Sequence, residues 1–137
     1  MSDFLSLKKY FIEELNIQAP MALIPEKKLN IEMTTDLAFG KNQAANNIYL
    51  VSLTCAVQYK ELPDYKIKAK ITGIFGTGEK CTNEEMRDRL LSNGAASTLY
   101  GILREVLRAS TSQTTYPLLI LPIIHFEEQK ITFADEE

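Results

Sequence analysis

The sequence predicts an α+β domain: a four-stranded antiparallel sheet followed by helices packed on one of its faces. Three observations carry this. Four stretches before Gly76 alternate apolar and polar side chains, the period of a half-buried strand. After Thr82 the apolar residues recur at steps of three and four, which is one face of a helix. Strands come together and helices come together, the order produced by an antiparallel sheet with its helices on one side.

The first strand is Tyr10 to Ile17, with Phe11, Leu15 and Ile17 opposite Glu14 and Asn16. Glu13 interrupts the alternation and predicts a bulge or a frayed edge. Gln18-Ala19-Pro20 ends it. Lys28 to Thr34 is the second strand, with Leu29, Ile31 and Met33 opposite Asn30, Glu32 and Thr34. Thr35 to Asn47 shows no period, and Gly40, Asn42, Asn46 and Asn47 predict a loop that carries Leu37 and Phe39. Ile48 to Tyr59 is the longest strand, with Val51, Leu53, Cys55 and Val57 on one face. Glu61-Leu62-Pro63-Asp64 predicts a hairpin connection. The fourth strand, Tyr65 to Ile74, sets Ile67, Ala69 and Ile71 opposite Lys66, Lys68 and Lys70. Gly73, Gly76 and Gly78 then release the chain.

Thr82-Asn83-Glu84-Glu85 has the form of a capping box and starts a helix. Asn93-Gly94, both tolerant of a left-handed backbone, predicts its stop. A second helix spans Ala95 to Ala109, with Leu99, Ile102, Leu103, Val106 and Leu107 on one face. Ala96, Ser97 and Gly101 form a small-residue face beside that stripe and predict an oligomer interface. Tyr116 to Phe126 must be extended, because Pro117 and Pro122 forbid a helix across it. A short segment, Lys130 to Phe133, and an acidic tail follow.

Bulk properties narrow the function. A chain of 137 residues predicts one domain over 1–137. With 45% apolar and 24% charged residues and a net charge of −3, nucleic acid is not an expected partner. No apolar run reaches the roughly 18 residues of a membrane span, and the N-terminus lacks the apolar core of a signal peptide. A cytoplasmic location is the expectation. In that setting Cys55 and Cys81 read as two free thiols. The single histidine, His125, has no nucleophile or acid placed beside it by any motif. One His and two separated Cys give no metal spacing. Gly73-Ile74-Phe75-Gly76-Thr77-Gly78 lacks the ending of a phosphate loop. The residues thus offer no catalytic constellation and no metal site.

Four stretches, in order, resemble the SecB family of bacterial export chaperones. Ala19-Pro20-Met21-Ala22 is similar to that family's APxAP turn without its second proline. Pro25 to Glu32 is similar to its PEVKLDLD strand. Gly73-Ile74-Phe75 resembles its GGIF strand exit. Leu99 to Glu105 followed by Tyr116 to Phe126 resembles LFPYARE followed by FPxLxLxPVNF.

This resemblance implies a cytoplasmic holdase without enzymatic activity or cofactor, assembled as a homotetramer (a dimer of dimers) and binding unfolded or pre-secretory polypeptides along apolar grooves. Carried across, Leu29, Ile31, Leu37, Phe39 and Phe126 are the implied client contacts. Two departures bear on export. Eleven residues follow Phe126, so the family's further helix is expected to be short or missing. The family docks the SecA motor on an acidic outer sheet face, whereas the matching face here keeps Glu14 but has Gln18, Lys66, Lys68 and Lys70, which argues against SecA. Two other readings compete: a SecB-like chaperone with a dedicated non-export client such as an antitoxin, and a homo-oligomeric scaffold without chaperone activity. A small-ligand binder or enzyme would need polar groups that the sequence does not supply.

Overall fold

The computed structural model describes residues 5–18, 30–42, 47–61, 65–78, 81, 83–112, 121–127 and 131. Four strands, β1 (Leu5–Gln18), β2 (Ile31–Lys41), β3 (Ile48–Tyr59) and β4 (Lys66–Thr77), form one antiparallel sheet in the order β1-β4-β3-β2. β2, β3 and β4 are successive neighbours, and β1 lies beyond β4, which is a Greek-key arrangement. β1 and β2 are therefore the two edges.

The central strands alternate as their sequences require. Tyr49, Val51, Leu53, Cys55, Val57 and Tyr59 of β3 are buried, as are Ile67, Ala69, Ile71 and Phe75 of β4. These face the helix and form the core. Lys66, Lys68 and Ser52 stand on the opposite, outer face.

Three strands differ from the sequence expectation. β2 runs through the stretch expected to be a loop, so Leu37 and Phe39 are strand residues paired with Leu53 and Val51. Thr35, Leu37 and Phe39 simply continue the alternation of Ile31 and Met33, and a buried partner strand outweighs the turn signal of Gly40. β2 ends at Lys41 and β3 begins at Ile48; between them Asn42 donates its amide to the Ile48 carbonyl, and Asn47 has a left-handed backbone at φ 65°. β4 likewise continues through Gly73 and Gly76, which remain paired with β1 and β3.

β1 carries the third difference. Its pairing with β4 slips between Leu7 and Lys9 and again between Ile12 and Glu14, so Lys8 and Glu13 are extra residues. The expected bulge at Glu13 is present. Each slip shifts the alternation by one, so the core-facing row is Leu5, Leu7, Tyr10, Ile12, Leu15 and Ile17, opposite core-facing β4 positions. Phe11 pairs with Thr72 on the outer face, not with Leu15 as simple alternation predicts.

The helical part is one continuous body. α1 (Glu84–Arg89) begins at Asn83, whose side chain accepts from the Met86 amide at 2.7 Å. Asn83 is thus the N-cap, one residue after the Thr82 that the sequence suggests. The Asn93-Gly94 stop does not occur. A π-helical turn (Leu90–Ala95) carries the chain into α2 (Ala96–Thr111), and no described glycine has a positive φ. Leu91, Ser92, Ala95 and Ala96 are fully buried on both sides of Gly94. Burying that continuous face outweighs the roughly 1 kcal/mol helix penalty of one glycine. A Cβ at Gly94 would lie 3.1 Å from Leu5, so a small residue lets β1 approach the helix here. Leu99, Leu103 and Leu107 continue the buried stripe over β3 and β4.

Residues 121–127 have no regular secondary structure and lie along the helix. The earlier part of the expected extended run, 116–120, lies outside the described residues.

Candidate functional site

One long helix cannot cover a four-stranded sheet. α2 sits on β3 and β4, and the edge strands are left with apolar side chains only partly covered. On β1, Tyr10 is 46% and Leu15 41% exposed although both face the helix side. On β2, Ile31, Met33 and Leu37 are half-buried on the same side, packed against the rim of the core. Two apolar strips therefore flank the helix, one at each edge of the sheet.

The β2 strip is bounded by a strap, residues 121–127. The Tyr100 hydroxyl donates to the Pro122 carbonyl at 2.5 Å and lies 3.8 Å from the Met33 sulfur, which places the strap beside β2. Leu121 and Phe126 are buried, and the Phe126 ring meets Tyr100 edge-on at 5.8 Å between centroids. Ile123, 75% exposed, points to water. Further along, Ile131 is buried and its amide donates to Asp88. Arg87 holds Asp88 at 2.9 Å and lies 6.0 Å above the Tyr49 ring, so the acid at this docking point is itself fixed.

The expected contact residues separate in three ways. Ile31 and Leu37 lie on the β2 strip. Phe39 and Phe126, each 8% exposed, belong to the chain's own core, because the continued strand and the strap fold them inward. Leu29 lies outside the described residues. Of the small-residue face, Ser97 and Gly101 are exposed and a Cβ at Gly101 would meet nothing within 4 Å. Ala96 is instead fully buried against the sheet, since it lies three residues before Leu99 and seven before Leu103, on the same face of the helix. Sequence reasoning missed Tyr10, Met33 and the strap's partners on the helix. The spacing of Leu5, Leu7, Tyr10, Ile12, Leu15 and Ile17 is the signal that identifies the first: pairs two apart, repeated every five residues.

The outer face collects Glu14, Gln18, Lys66, Lys68 and Lys70, with Glu14 opposite Lys70 and Gln18 opposite Lys66. It is not a basic stripe. Lys70 pairs with Glu13 at 3.1 Å and Lys68 with Glu14 at 4.0 Å. Thr72 donates to Glu13 at 2.7 Å and shares a hydrogen bond with Ser52 at 2.8 Å. That Thr72 bond, then Lys70, holds the Glu13 carboxyl below its ordinary value. A shallow hollow of about 350 Å³ crosses this face between Gln18, Glu32, Gln58 and Lys66, so its lining carries both signs of charge.

Reactive chemistry finds little support. Cys55 is buried in the core and burial pushes its thiol up to about 11; Cys81 is also raised, first by burial. His125 is exposed. Among the described residues no group of three potential ligands could hold a metal ion, and no helix is long and apolar enough to cross a membrane.

The architecture defines a class: a Greek-key sheet covered by one long helix, with apolar strips left open at both edges. The chain belongs to the SecB family, whose description, preprotein translocase subunit SecB, matches residues 2–130. The protein-export protein SecB of Anaplasma marginale (strain Florida) is 30% identical over 87 residues, 62% of this chain and 49% of that protein. The chain thus aligns with about half the length of this relative. The SecB of Psychrobacter arcticus is 23% identical over 90% of this chain and 84% of its own, and that of Legionella pneumophila (strain Philadelphia 1) 23% over 96% and 87%. Among solved structures, the Mycobacterium tuberculosis Rv1957 SecB-like chaperone, in complex with a ChAD peptide from the Rv1956 HigA1 antitoxin, matches with a TM-score of 0.74 at 15% identity, covering 90% of this chain and 93% of that one. This last likeness supports the four-stranded, helix-covered fold.

Proposed function

We propose that this protein is a non-enzymatic holdase, an export chaperone of the SecB kind that binds unfolded or pre-secretory polypeptides in the cytoplasm. The observation that carries the reading is the pair of partly covered apolar strips on the helix side of the sheet. An unfolded chain offers apolar side chains and unpaired backbone. A strip such as Ile31, Met33 and Leu37 on an edge strand offers apolar surface beside unpaired main-chain groups, and so suits such a ligand. The second strip, around Tyr10 and Leu15, together with the open helix face at Ser97 and Gly101, suits packing against further copies of the chain in a homotetramer. No cofactor or reaction step is needed.

The experiment is suppression of aggregation. The protein should keep several unrelated, chemically denatured proteins soluble at near-stoichiometric ratio and without nucleotide. A scaffold protein would suppress none of them.

A second reading is favoured by the outer face. SecA docking in this family uses acidic charge, and here Glu13 and Glu14 are answered by Lys70 and Lys68. The M. tuberculosis chaperone holds an antitoxin peptide, and a dedicated client of that sort fits a chain whose motor-docking face is not acidic. Titration with SecA at low salt, where charge effects are largest, separates the two: submicromolar binding supports export, and its absence supports a dedicated client.

A further inference from the structure

We infer that the strap is an internal stand-in for a client: it occupies a second polypeptide-binding channel between the helix and β2, and an extended unfolded segment displaces it. The inference rests on the holdase reading and deepens it.

Four side chains spaced along the helix reach main-chain atoms of the strap region. Arg104 Nε donates to the Leu121 carbonyl at 3.2 Å, the Tyr100 hydroxyl to that of Pro122 at 2.5 Å, and Asn93 Nδ2 to that of Phe126 at 2.7 Å. Asp88 Oδ2 accepts from the Ile131 amide at 3.1 Å. Helix positions descend as the contacted positions 121, 122, 126 and 131 ascend, so these contacts run antiparallel to the helix. Every partner atom in the segment is one that any polypeptide possesses. Specificity enters only through bulk: Leu121, Phe126 and Ile131, five residues apart, are 2%, 8% and 7% exposed.

This grip takes main chain by hydrogen bonds and apolar side chains by volume. It is the recognition a holdase requires for clients of unrelated sequence. The described strap, 121–127, has no helix or sheet ladder of its own. Exchange with a client segment therefore trades like contacts for like, while the empty protein keeps an apolar channel closed that would otherwise promote aggregation.

The test is amide exchange at Ile131 in the full chain, followed by NMR, with and without saturating carboxymethylated α-lactalbumin as a permanently unfolded probe. The expected result is at least a tenfold loss of protection at Ile131 on probe binding, with the amides of α2 unchanged. Probe binding with Ile131 protection unchanged or raised overturns the strap inference and leaves the holdase reading standing. Absence of probe binding overturns both. A second measurement uses Leu121→Ala, which loosens the strap and leaves Asp88, Asn93, Tyr100 and Arg104 in place. Its apparent affinity for the probe should rise by about tenfold or more, since the competent state becomes more populated. An unchanged or weaker affinity in the folded variant contradicts the inference, and should the variant unfold, the exchange result on the natural chain decides.

Discussion

A Cβ placed on Gly73 would lie 2.9 Å from Leu99 Cδ2 and 2.7 Å from the Phe75 ring. The sheet and the helix meet at this glycine because only a residue without a side chain lets Leu99 seat on β4. Gly73→Ala should overpack the junction and lower stability by about 1–3 kcal/mol, read as a lower midpoint of urea unfolding. A midpoint equal to that of the natural chain would show that Leu99 and Phe75 shift freely.

Glu13 is the second expected point of control. Its carboxyl is held below the ordinary value of 4.5, first by the Thr72 hydroxyl and then by Lys70. Because the folded value is depressed, the stabilisation is fully present above the unfolded value and is lost as pH falls through the folded one. Glu13→Gln should therefore melt below the natural chain at neutral pH, with the gap closing under acid conditions. The group is partly exposed, so the effect stays within the modest range of surface pairs, under about 1 kcal/mol. Parallel melting curves across pH check this.

The two cysteines should differ in reactivity. Cys55 is wholly buried with its thiol pushed up to about 11, while Cys81 is only partly covered. Alkylation of the folded protein at neutral pH should modify Cys81 slowly and leave Cys55 untouched until unfolding. Mass spectrometry of the labelled protein reads both sites directly.

Asn93 ties the π turn to the strap through the Phe126 carbonyl. Asn93→Ala should cost about 0.5–1.5 kcal/mol, the net worth of one such hydrogen bond. Unfolding in urea with an unchanged slope would confirm a loss of stability rather than a change in the unfolded chain.

Much of this fold is legible in the sequence, and the parts that are not share a cause. β3 could be read whole because Val51, Leu53, Cys55 and Val57 alternate without interruption. β1 misled at Phe11, since bulges at Lys8 and Glu13 shift the phase and only pairing with β4 reveals it. β2 looked finished at Thr34 because Thr35, Asp36 and Gly40 dilute the contrast that Leu37 and Phe39 continue. Asn93-Gly94 is a good local stop signal, and it lost to the burial of Leu91 and Ala95 on either side. The candidate contact residues separate in the structure. Ile31 and Leu37 lie on the β2 strip, whereas Phe126 turned inward through a bond to Asn93, 33 residues away in sequence, which no local pattern announces.

The central claim is that clients bind on the helix side of the sheet, along β2. Client affinity in Leu37→Ser, compared with Leu50→Ser, tests it most directly. Leu37 is half-buried on the β2 strip, and Leu50, 40% exposed, stands on the outer face. Titration calorimetry with an unfolded client, on variants shown by circular dichroism to be folded, should give about a tenfold loss for Leu37→Ser, consistent with roughly 1.5–3 kcal/mol for a fully buried side chain, and natural affinity for Leu50→Ser. Natural affinity in folded Leu37→Ser, or the loss falling on Leu50→Ser instead, would contradict the account.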